Sequence, residues 1–501
     1  GGSGSDEIDG GSGDDTIASG AGNDVLYGGE GLDTLYFAGT PAFYTVDLAA
    51  GTATSAGGTD TFFGFERVAL ANRGNVVHAS AGSDTVIGGG LDDFFHVHGS
   101  GNWFEGGHGF DTASYASADS GVFVRLGLDN SALGIDTLLD FERVIGSAFN
   151  DTLIGDGGDN VFVGGGGSNT IDGGLGFDIV DYSGLGAGVA VDLKSGETGG
   201  AASDALVSIE GVVGTAFSDT LFGDDGANRF WGGAGADTID GRGGIDFVSY
   251  AGSDAGVTVD LVAGTGFGGW AEGDVLVSIE SVEGSAFADT LIGDGLDGIL
   301  SGGAGDDLIF GIGADRIYGG AGDDILYGGG AREIRGDAGN DTIYGGGGAT
   351  IFGGVGNDVV HAEGGDHAMA GDGDDAIYLF AGPWQGMTEI YGGGGNDTLH
   401  IVGSRNTFDI GASGNLAIVG VDRVDLGAAN AAIVSWEFGA NEKIDGLQFT
   451  GGTGSSLQLV GTWEDLGVTT IGGETWHVFE HNSDSGVQFI YVDTDLHLSF
   501  A

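Results

Sequence analysis

Aspartate returns at every ninth position through the first 36 residues, as Asp6, Asp15, Asp24 and Asp33, each at the end of a glycine-rich run. The segments are GGSGSDEID, GGSGDDTIA, SGAGNDVLY and GGEGLDTLY, four nonapeptides without remainder. The frame recurs with Asp84, Asp93, Asn102 and Asp111 in residues 79–114, and with Asp151, Asn160, Asn169 and Asp178 in 146–181. It recurs again with Asp219, Asn228, Asp237 and Asp246 in 214–249, and a further block opens at 284 with Asp289. The chemistry open to such a row is the binding of a hard cation. Carboxylates stacked at one strand spacing repel one another unless a cation lies between them, and glycine-rich turns leave backbone carbonyls free as the oxygen ligands calcium prefers. A merely solvated acidic edge needs no fixed nine-residue phase.

Those carboxylates must be positioned by turns, and the turns by strands. The eighth position of each nonapeptide is a large aliphatic residue, Ile8, Ile17, Leu26 and Leu35 in the first block. Glycine permits the positive φ angles a tight turn needs, and the remaining three residues form a strand with one inward side chain. Two nonapeptides make one coil of 18 residues, returning the chain to the same edge about 4.8 Å further along a parallel stack. Asp6 then lies beneath Asp24 and Asp15 beneath Asp33.

Between the blocks lie inserts that repeat among themselves. GVFVRL at 121–126 matches GVAVDL at 188–193 and GVTVDL at 256–261; FERV at 65–68 and 141–144 matches IEGV at 209–212 and IESV at 279–282, with VDRV at 421–424 a worn fifth copy. Their alternating apolar positions predict that the stack continues through them as wider, calcium-poor turns; hairpins packed on the stack are the alternative. Glu66, Glu142, Glu210 and Glu280 recur at one place in the inserts, as structural partners. From 302 to 378 the period shortens to 17, carried by Asp307, Asp324, Asp341, Asp358 and Asp375. One arm keeps nine residues; the other has eight and puts Asp315, Arg332, Ala349 and Asp366 at the ligand position. Calcium is therefore expected on one edge there, with Arg332 and Arg335 helping to replace charge on the other. A bulge is expected at Pro383 and Trp384, and the array ends at Asp397.

These nonapeptides resemble the calcium-binding repeats of RTX proteins, a known solenoid repeat. The resemblance implies an all-β, right-handed parallel β-roll or β-helix solenoid with a C-terminal β-rich cap. Each aspartate named above from Asp6 to Asp397, apart from Asp315 and Asp366 on the eight-residue arm, would then be a calcium ligand, helped by carbonyls of its own turn and of the turn one coil away. Asn102, Asn160, Asn169 and Asn228 would offer a neutral oxygen, and Gly298 none. The expected division is a roll over 1–425, with nonapeptide blocks 1–36, 79–114, 146–181, 214–249 and 284–400, followed by a cap and type I secretion signal over 426–501. The stretch WEFGANEKIDGLQF at 436–449 is similar to segments that close RTX arrays.

Composition agrees. With 75 acidic against 13 basic side chains the formal charge is −62, which disfavours nucleic acid and anionic membrane as partners and favours cations. No stretch of 18 apolar residues offers a membrane span. Hydrophobic residues make up 41% of the chain, too many for a disordered acidic tail, and cysteine is absent, so neither disulfides nor thiolate metal sites contribute. No signal core precedes the first repeat, and Gly1 is read as an internal start within a longer precursor. His477, Glu480 and His481 match the H-x-x-E-H pattern of a zinc protease, but WHVFEHNSDSG reads as strand and turn, not helix. His96, His98 and His108 suggest adventitious transition-metal binding at most, exposed polar residues being the simpler reading. No G-x-S-x-G, H-E-x-x-H or P-loop motif is present, so the expected protein is not an enzyme.

The function expected is that of a calcium-binding structural or cell-surface protein of adhesin, matrix or surface-layer type, secreted from a Gram-negative bacterium. The alternative is the non-catalytic portion of a larger secreted enzyme or toxin. Expected partners are calcium, the type I secretion machinery, and other copies bridged by calcium or a cell-surface polysaccharide. Extracellular calcium modules bind at about 10⁻⁴ to 10⁻³ M, so the chain would stay extended inside the cell and fold outside. Circular dichroism in EDTA at low ionic strength should accordingly show loss of the β-sheet signal, and millimolar calcium should restore it; full β-structure in EDTA would refute the scheme.

Overall fold

A strand of three residues has too few backbone bonds to persist alone and survives only when stacked. The computed structural model shows that stacking. It describes residues 1–37, 43–71, 73–130, 134–313, 315–380, 388–402, 407–410, 416–425, 433–436, 447–450, 456–459, 463–471, 474–483, 486–493 and 497–500. These form two units, one of residues 1–233 and 237–244, the other of residues 234–236 and 245–501. Apart from a single 3-10 turn at Gly269–Ala271, the described regular structure is strand, and no described helix is long and apolar enough to cross a membrane.

In the first unit the strands pair in parallel with the expected step of 18. Glu7–Ser12 pairs with Val25–Glu30, setting Ile8 beside Leu26; Thr16–Ala18 pairs with Thr34–Tyr36, setting Ile17 beside Leu35; Thr152–Ile154 pairs with Thr170–Asp172, setting Leu153 beside Ile171. The central residue of each short strand points inward. Leu26, Leu35, Phe95, Phe104, Leu153, Phe162 and Ile171 are fully buried, so the core is a column of single side chains between two facing walls.

The second unit repeats the plan with a step of 17. Arg316–Ala321, Glu333–Ala338 and Thr350–Val355 stack on one wall with Ile317, Ile334 and Ile351 in register. Leu308–Phe310, Ile325–Tyr327, Thr342–Tyr344 and Val359–Ala362 stack on the other, aligning Ile309, Leu326, Ile343 and Val360. Exact repetition also stacks the outward residues. Phe310, Tyr327, Tyr344 and His361 lie face to face with ring centroids 4.9, 4.6 and 4.3 Å apart.

The inserts combine both expected arrangements. Gly211–Val213 pairs in parallel with Ile179–Asp181 before it and Arg229–Trp231 after it, so the stack does continue. Val189–Asp192 likewise pairs in parallel with Thr220–Phe222, yet it also folds back in an antiparallel hairpin with Glu197–Gly200. Thr258–Asp260 and Thr265–Phe267 repeat that hairpin in the second unit. The extra residues of a long insert thus leave the coil as a hairpin while its first and last strands stay in register.

Toward the C-terminus the pairing becomes antiparallel, as Trp463–Ile471, Glu474–Ser483 and Gly486–Asp493 form a meander. Gly486–Asp493 also pairs in parallel with Leu447–Thr450. The H-x-x-E-H segment lies on the strand Glu474–Ser483, not on a helix. Pro383, Trp384 and most of 436–449 lie outside the described residues.

Ile343 is fully buried in its column. Ile343→Ala should lower stability in saturating calcium by about 2–5 kcal/mol, measured by urea unfolding, whereas Tyr344→Ala on the outer face should cost less than half as much.

Candidate metal centres in the turns

In the glycine turns that follow another nonapeptide, the sixth-position aspartate divides its two oxygens between different tasks. One accepts the backbone N–H of the aspartate a coil earlier. The Asp6 N–H donates to Asp24 at 2.8 Å, that of Asp15 to Asp33 at 2.8 Å, and that of Asp93 to Asp111 at 2.7 Å. In the second unit the relay is unbroken, from Asp289 to Asp307 (2.7 Å), Asp324 (2.8 Å), Asp341 (2.9 Å), Asp358 (2.9 Å), Asp375 (2.8 Å) and Asp397 (3.1 Å). The stacked carboxylates are therefore joined through an amide proton, an interaction not expected from the sequence.

The other oxygen has no such partner. Oδ2 of Asp15, Asp24, Asp33, Asp93, Asp111 and Asp178, and of Asp307, Asp324, Asp341, Asp358, Asp375 and Asp397, is buried and receives no hydrogen bond. A buried carboxylate oxygen left this way is destabilising. Burial, reinforced by neighbouring carboxylates, pushes Asp307 up to about 8 and Asp324 and Asp358 up to about 7. The same causes bring Asp178 to about 7 and Asp111 to about 6.

Those orphaned oxygens converge with carbonyls on space that no side chain fills. A Cβ placed on Gly302, Gly319 or Gly336 would lie within 3 Å both of Oδ2 of the aspartate five residues on and of the carbonyl oxygen of Gly319, Gly336 or Gly353 in the next coil. The fourth turn residue adopts φ +138° at Gly322 and +141° at Gly339, a conformation open chiefly to glycine. No three histidine, cysteine, aspartate or glutamate side chains converge as a metal site among the described residues. What converges is instead one carboxylate oxygen and a main-chain carbonyl of the next coil, both hard oxygens of the kind calcium takes. His96, one of the histidines considered for transition metals, stacks on His78 at 4.4 Å.

Asparagine changes the rung. Asn102 accepts the Asp84 N–H with its oxygen (2.9 Å) and donates its amide nitrogen to the His98 carbonyl (3.0 Å). Asn169 accepts from Asp151 (3.0 Å) and donates to Asp204 (2.8 Å). The oxygen expected as a neutral ligand is thus engaged at both. Asn75, not singled out in the sequence, directs its amide nitrogen at the carbonyls of Arg73 (2.5 Å), Ala71 (3.3 Å) and Gly88 (3.3 Å).

The recurring glutamates end each row. Glu66, Glu142, Glu210 and Glu280 accept the N–H of Asp33 (2.7 Å), Asp111 (2.6 Å), Asp178 (2.9 Å) and Asp246 (2.8 Å). Asp422 of the worn copy does the same for Asp397 at 2.9 Å. The opposite row ends on residues that sequence reasoning missed: Asp60 accepts from Asp24 (2.9 Å), Asp136 from Asn102 (2.8 Å) and Asp204 from Asn169 (2.8 Å). The signal was available, since Asp60, Asp136, Asp204 and Asp274 each precede a recurring glutamate by six residues.

On the eight-residue arm, Asp366 bonds the N–H groups of Glu363 (2.7 Å) and Ala349 (2.8 Å), while Asp315 accepts from Ile312 (2.9 Å) and leaves Oδ1 without a donor. Arg332 pairs with Asp297 at 3.0 Å. Arg335 departs from expectation: it lies on the strand Glu333–Ala338, paired with Glu333, with its guanidinium over the rings of Tyr318 and Phe352. Strand alternation carries it to the outer wall, away from the turn.

A family model of the RTX calcium-binding nonapeptide repeat matches residues 1–35, 72–113, 145–180, 213–248, 311–332, 333–360 and 389–400. No curated protein matches the chain.

The raised aspartates fix a pH dependence. Their folded-state values lie above the unfolded value near 3.8, so for the calcium-free chain their contribution to stability is fully present below that value and is lost as pH rises through about 6 to 8. In chelator, β-sheet circular dichroism should grow as pH falls from 8 to 5. With calcium present, protonation should instead compete with the ion and raise the concentration needed for folding.

Proposed function

As an RTX calcium-binding repeat protein the chain binds many calcium ions, and we propose that it serves outside the cell as a structural or surface component whose copies are bridged by calcium. The observation that carries this reading is a second, outer row of polar side chains beside the buried one. Asp306 accepts the N–H of Asp323 (2.9 Å), Asp323 that of Asn340 (2.7 Å), Asn340 that of Asn357 (2.8 Å), Asn357 that of Asp374 (2.8 Å) and Asp374 that of Asn396 (2.9 Å). All six side chains are exposed. The Asn396 bonds hold the Asp374 carboxyl below its usual value, so it stays ionised. A hydrogen-bonded, regularly spaced polar edge facing solvent, with carboxylates at Asp306, Asp323 and Asp374, suits cation bridging to a second copy better than it suits folding alone, which the buried row already supports.

The reading is tested by light scattering of the chain in millimolar calcium. The wild type should assemble reversibly, and a variant carrying Asp306→Ser, Asp323→Ser and Asp374→Ser should fold, by circular dichroism, but remain monomeric. A wild type that folds with calcium and never assembles would favour instead the folding and secretion portion of a larger enzyme or toxin.

A further inference from the structure

We infer that four turns, those ending at Asp84, Asp151, Asp219 and Asp289, close without calcium, so that each insert and the turn after it form a metal-independent anchor between calcium-built coils. This rests on the calcium reading of the remaining turns. The four carry a hydroxyl at the second residue, Ser80, Ser147, Thr215 and Ser285, where most of the remaining turns have glycine and the turns of Asp246 and Asp341 have Arg242 and Asp337.

The hydroxyl brought by that residue, together with its backbone N–H, supplies the donors that stand in for a cation. The Ser147 N–H donates to Asp151 Oδ2 at 2.7 Å and its hydroxyl to Oδ1 at 2.7 Å. Thr215 treats Asp219 in the same way at 2.6 and 3.0 Å, Ser285 treats Asp289 at 2.5 and 2.9 Å, and Ser80 treats Asp84 at 2.7 and 2.9 Å. Three of these carboxylates accept a further N–H from the insert just before them: Val122 to Asp151 (2.7 Å), Val189 to Asp219 (2.7 Å) and Val257 to Asp289 (2.6 Å). None of the four has an orphaned buried oxygen, unlike Asp307, Asp324, Asp341 and Asp358.

The backbone takes a different path as well. In the glycine turns the fourth residue has φ of +113° at Gly305, +138° at Gly322 and +131° at Gly356. In three of the four turns that place is held by Phe149, Phe217 and Phe287, none at positive φ. Their N–H groups donate to the same hydroxyls, at 3.1, 3.0 and 3.0 Å.

The insert satisfies its own row-ending aspartate too. The Tyr115 hydroxyl donates to Asp136 (2.9 Å), that of Tyr182 to Asp204 (3.0 Å) and that of Tyr250 to Asp274 (2.8 Å). The row-ending aspartates Asp136, Asp204 and Asp274 and the clasped Asp151, Asp219 and Asp289 thus have protein donors, whereas the glycine turns leave one oxygen for the ion. Calcium removal should unfold the chain in segments and leave the anchors.

Hydrogen exchange of the full chain, read by mass spectrometry in calcium and in EGTA, tests this. Segments 122–153, 189–221 and 257–291 should keep their protection within about tenfold, while 302–399 loses about a hundredfold or more. Uniform loss across the chain would overturn the inference alone; no change anywhere would overturn the calcium reading with it. Equilibrium dialysis supplies a second readout. Asp84→Asn, Asp151→Asn, Asp219→Asn and Asp289→Asn together should leave the number of bound ions unchanged, whereas Asp307→Asn, Asp324→Asn, Asp341→Asn and Asp358→Asn should reduce it. Equal losses in the two variants would overturn the assignment.

Discussion

A carboxylate has two oxygens, and a coil offers it one amide proton per rung. This mismatch underlies the whole arrangement. Backbone pairing satisfies one oxygen of Asp324, for example, through the Asp307 N–H, and leaves the other buried with nothing to bond. An isolated turn of this kind would stay open to water. Stacked, it places the leftover oxygen beside a carbonyl from the next coil, in space kept clear by the absence of a Cβ on Gly319. Glycine therefore serves twice, once for the backbone path and once by letting the carboxylate oxygen and the carbonyl approach where a Cβ would stand.

The chain uses several other ways of meeting the same oxygen. Serine and threonine supply a hydroxyl and an amide from within the turn, tyrosine supplies a phenol from across the coil, and asparagine replaces the second oxygen by a donor that bonds carbonyls directly, as Asn75 does. Glutamate adds one methylene and carries the rung across an insert. These are interchangeable answers to one local requirement, which is why a repeat can vary at its ligand position and still keep register with its neighbours. The strands are indifferent to the choice, because each is held by a central apolar residue such as Leu153 or Ile171.

Much of this was legible in the sequence. The nine-residue phase gave the parallel step, the inward aliphatic and the stacked aspartates, and the shift to 17 appeared directly in the spacing of Asp307 to Asp375. Hydrogen bonds from backbone to side chain were not legible, because period and residue type do not reveal which oxygen faces the amide. The outer row from Asp306 to Asn396 was hidden for the same reason: its fifth-position residues are a mixture of aspartate and asparagine, and they look like ordinary solvated polar residues. Arg335 was misplaced because nearness in sequence to Arg332 suggested a shared edge, whereas strand alternation sends the two to different surroundings. The inserts resisted a single reading because they contain both a coil and a hairpin.

The two-coil origin of each site has a consequence for how folding and calcium are linked. A cradle built from the Asp341 carboxylate and the Gly353 carbonyl does not exist until both coils are in place, so an ion cannot bind one turn at full strength before its neighbour forms. Binding and stacking are then the same step, repeated along the array, with each added coil completing one site and presenting half of the next. Such a system behaves as a chain of nearest-neighbour couplings, steep in calcium and able to propagate from any formed coil. Where a row meets an insert the coupling passes through glutamate and aspartate side chains with protein donors, and on the inference drawn above the ionic requirement would stop there. On the calcium reading proposed above, the length of each uninterrupted glycine-turn row, longest among the described residues from Asp307 to Asp397, would set how steeply that part of the chain responds to calcium.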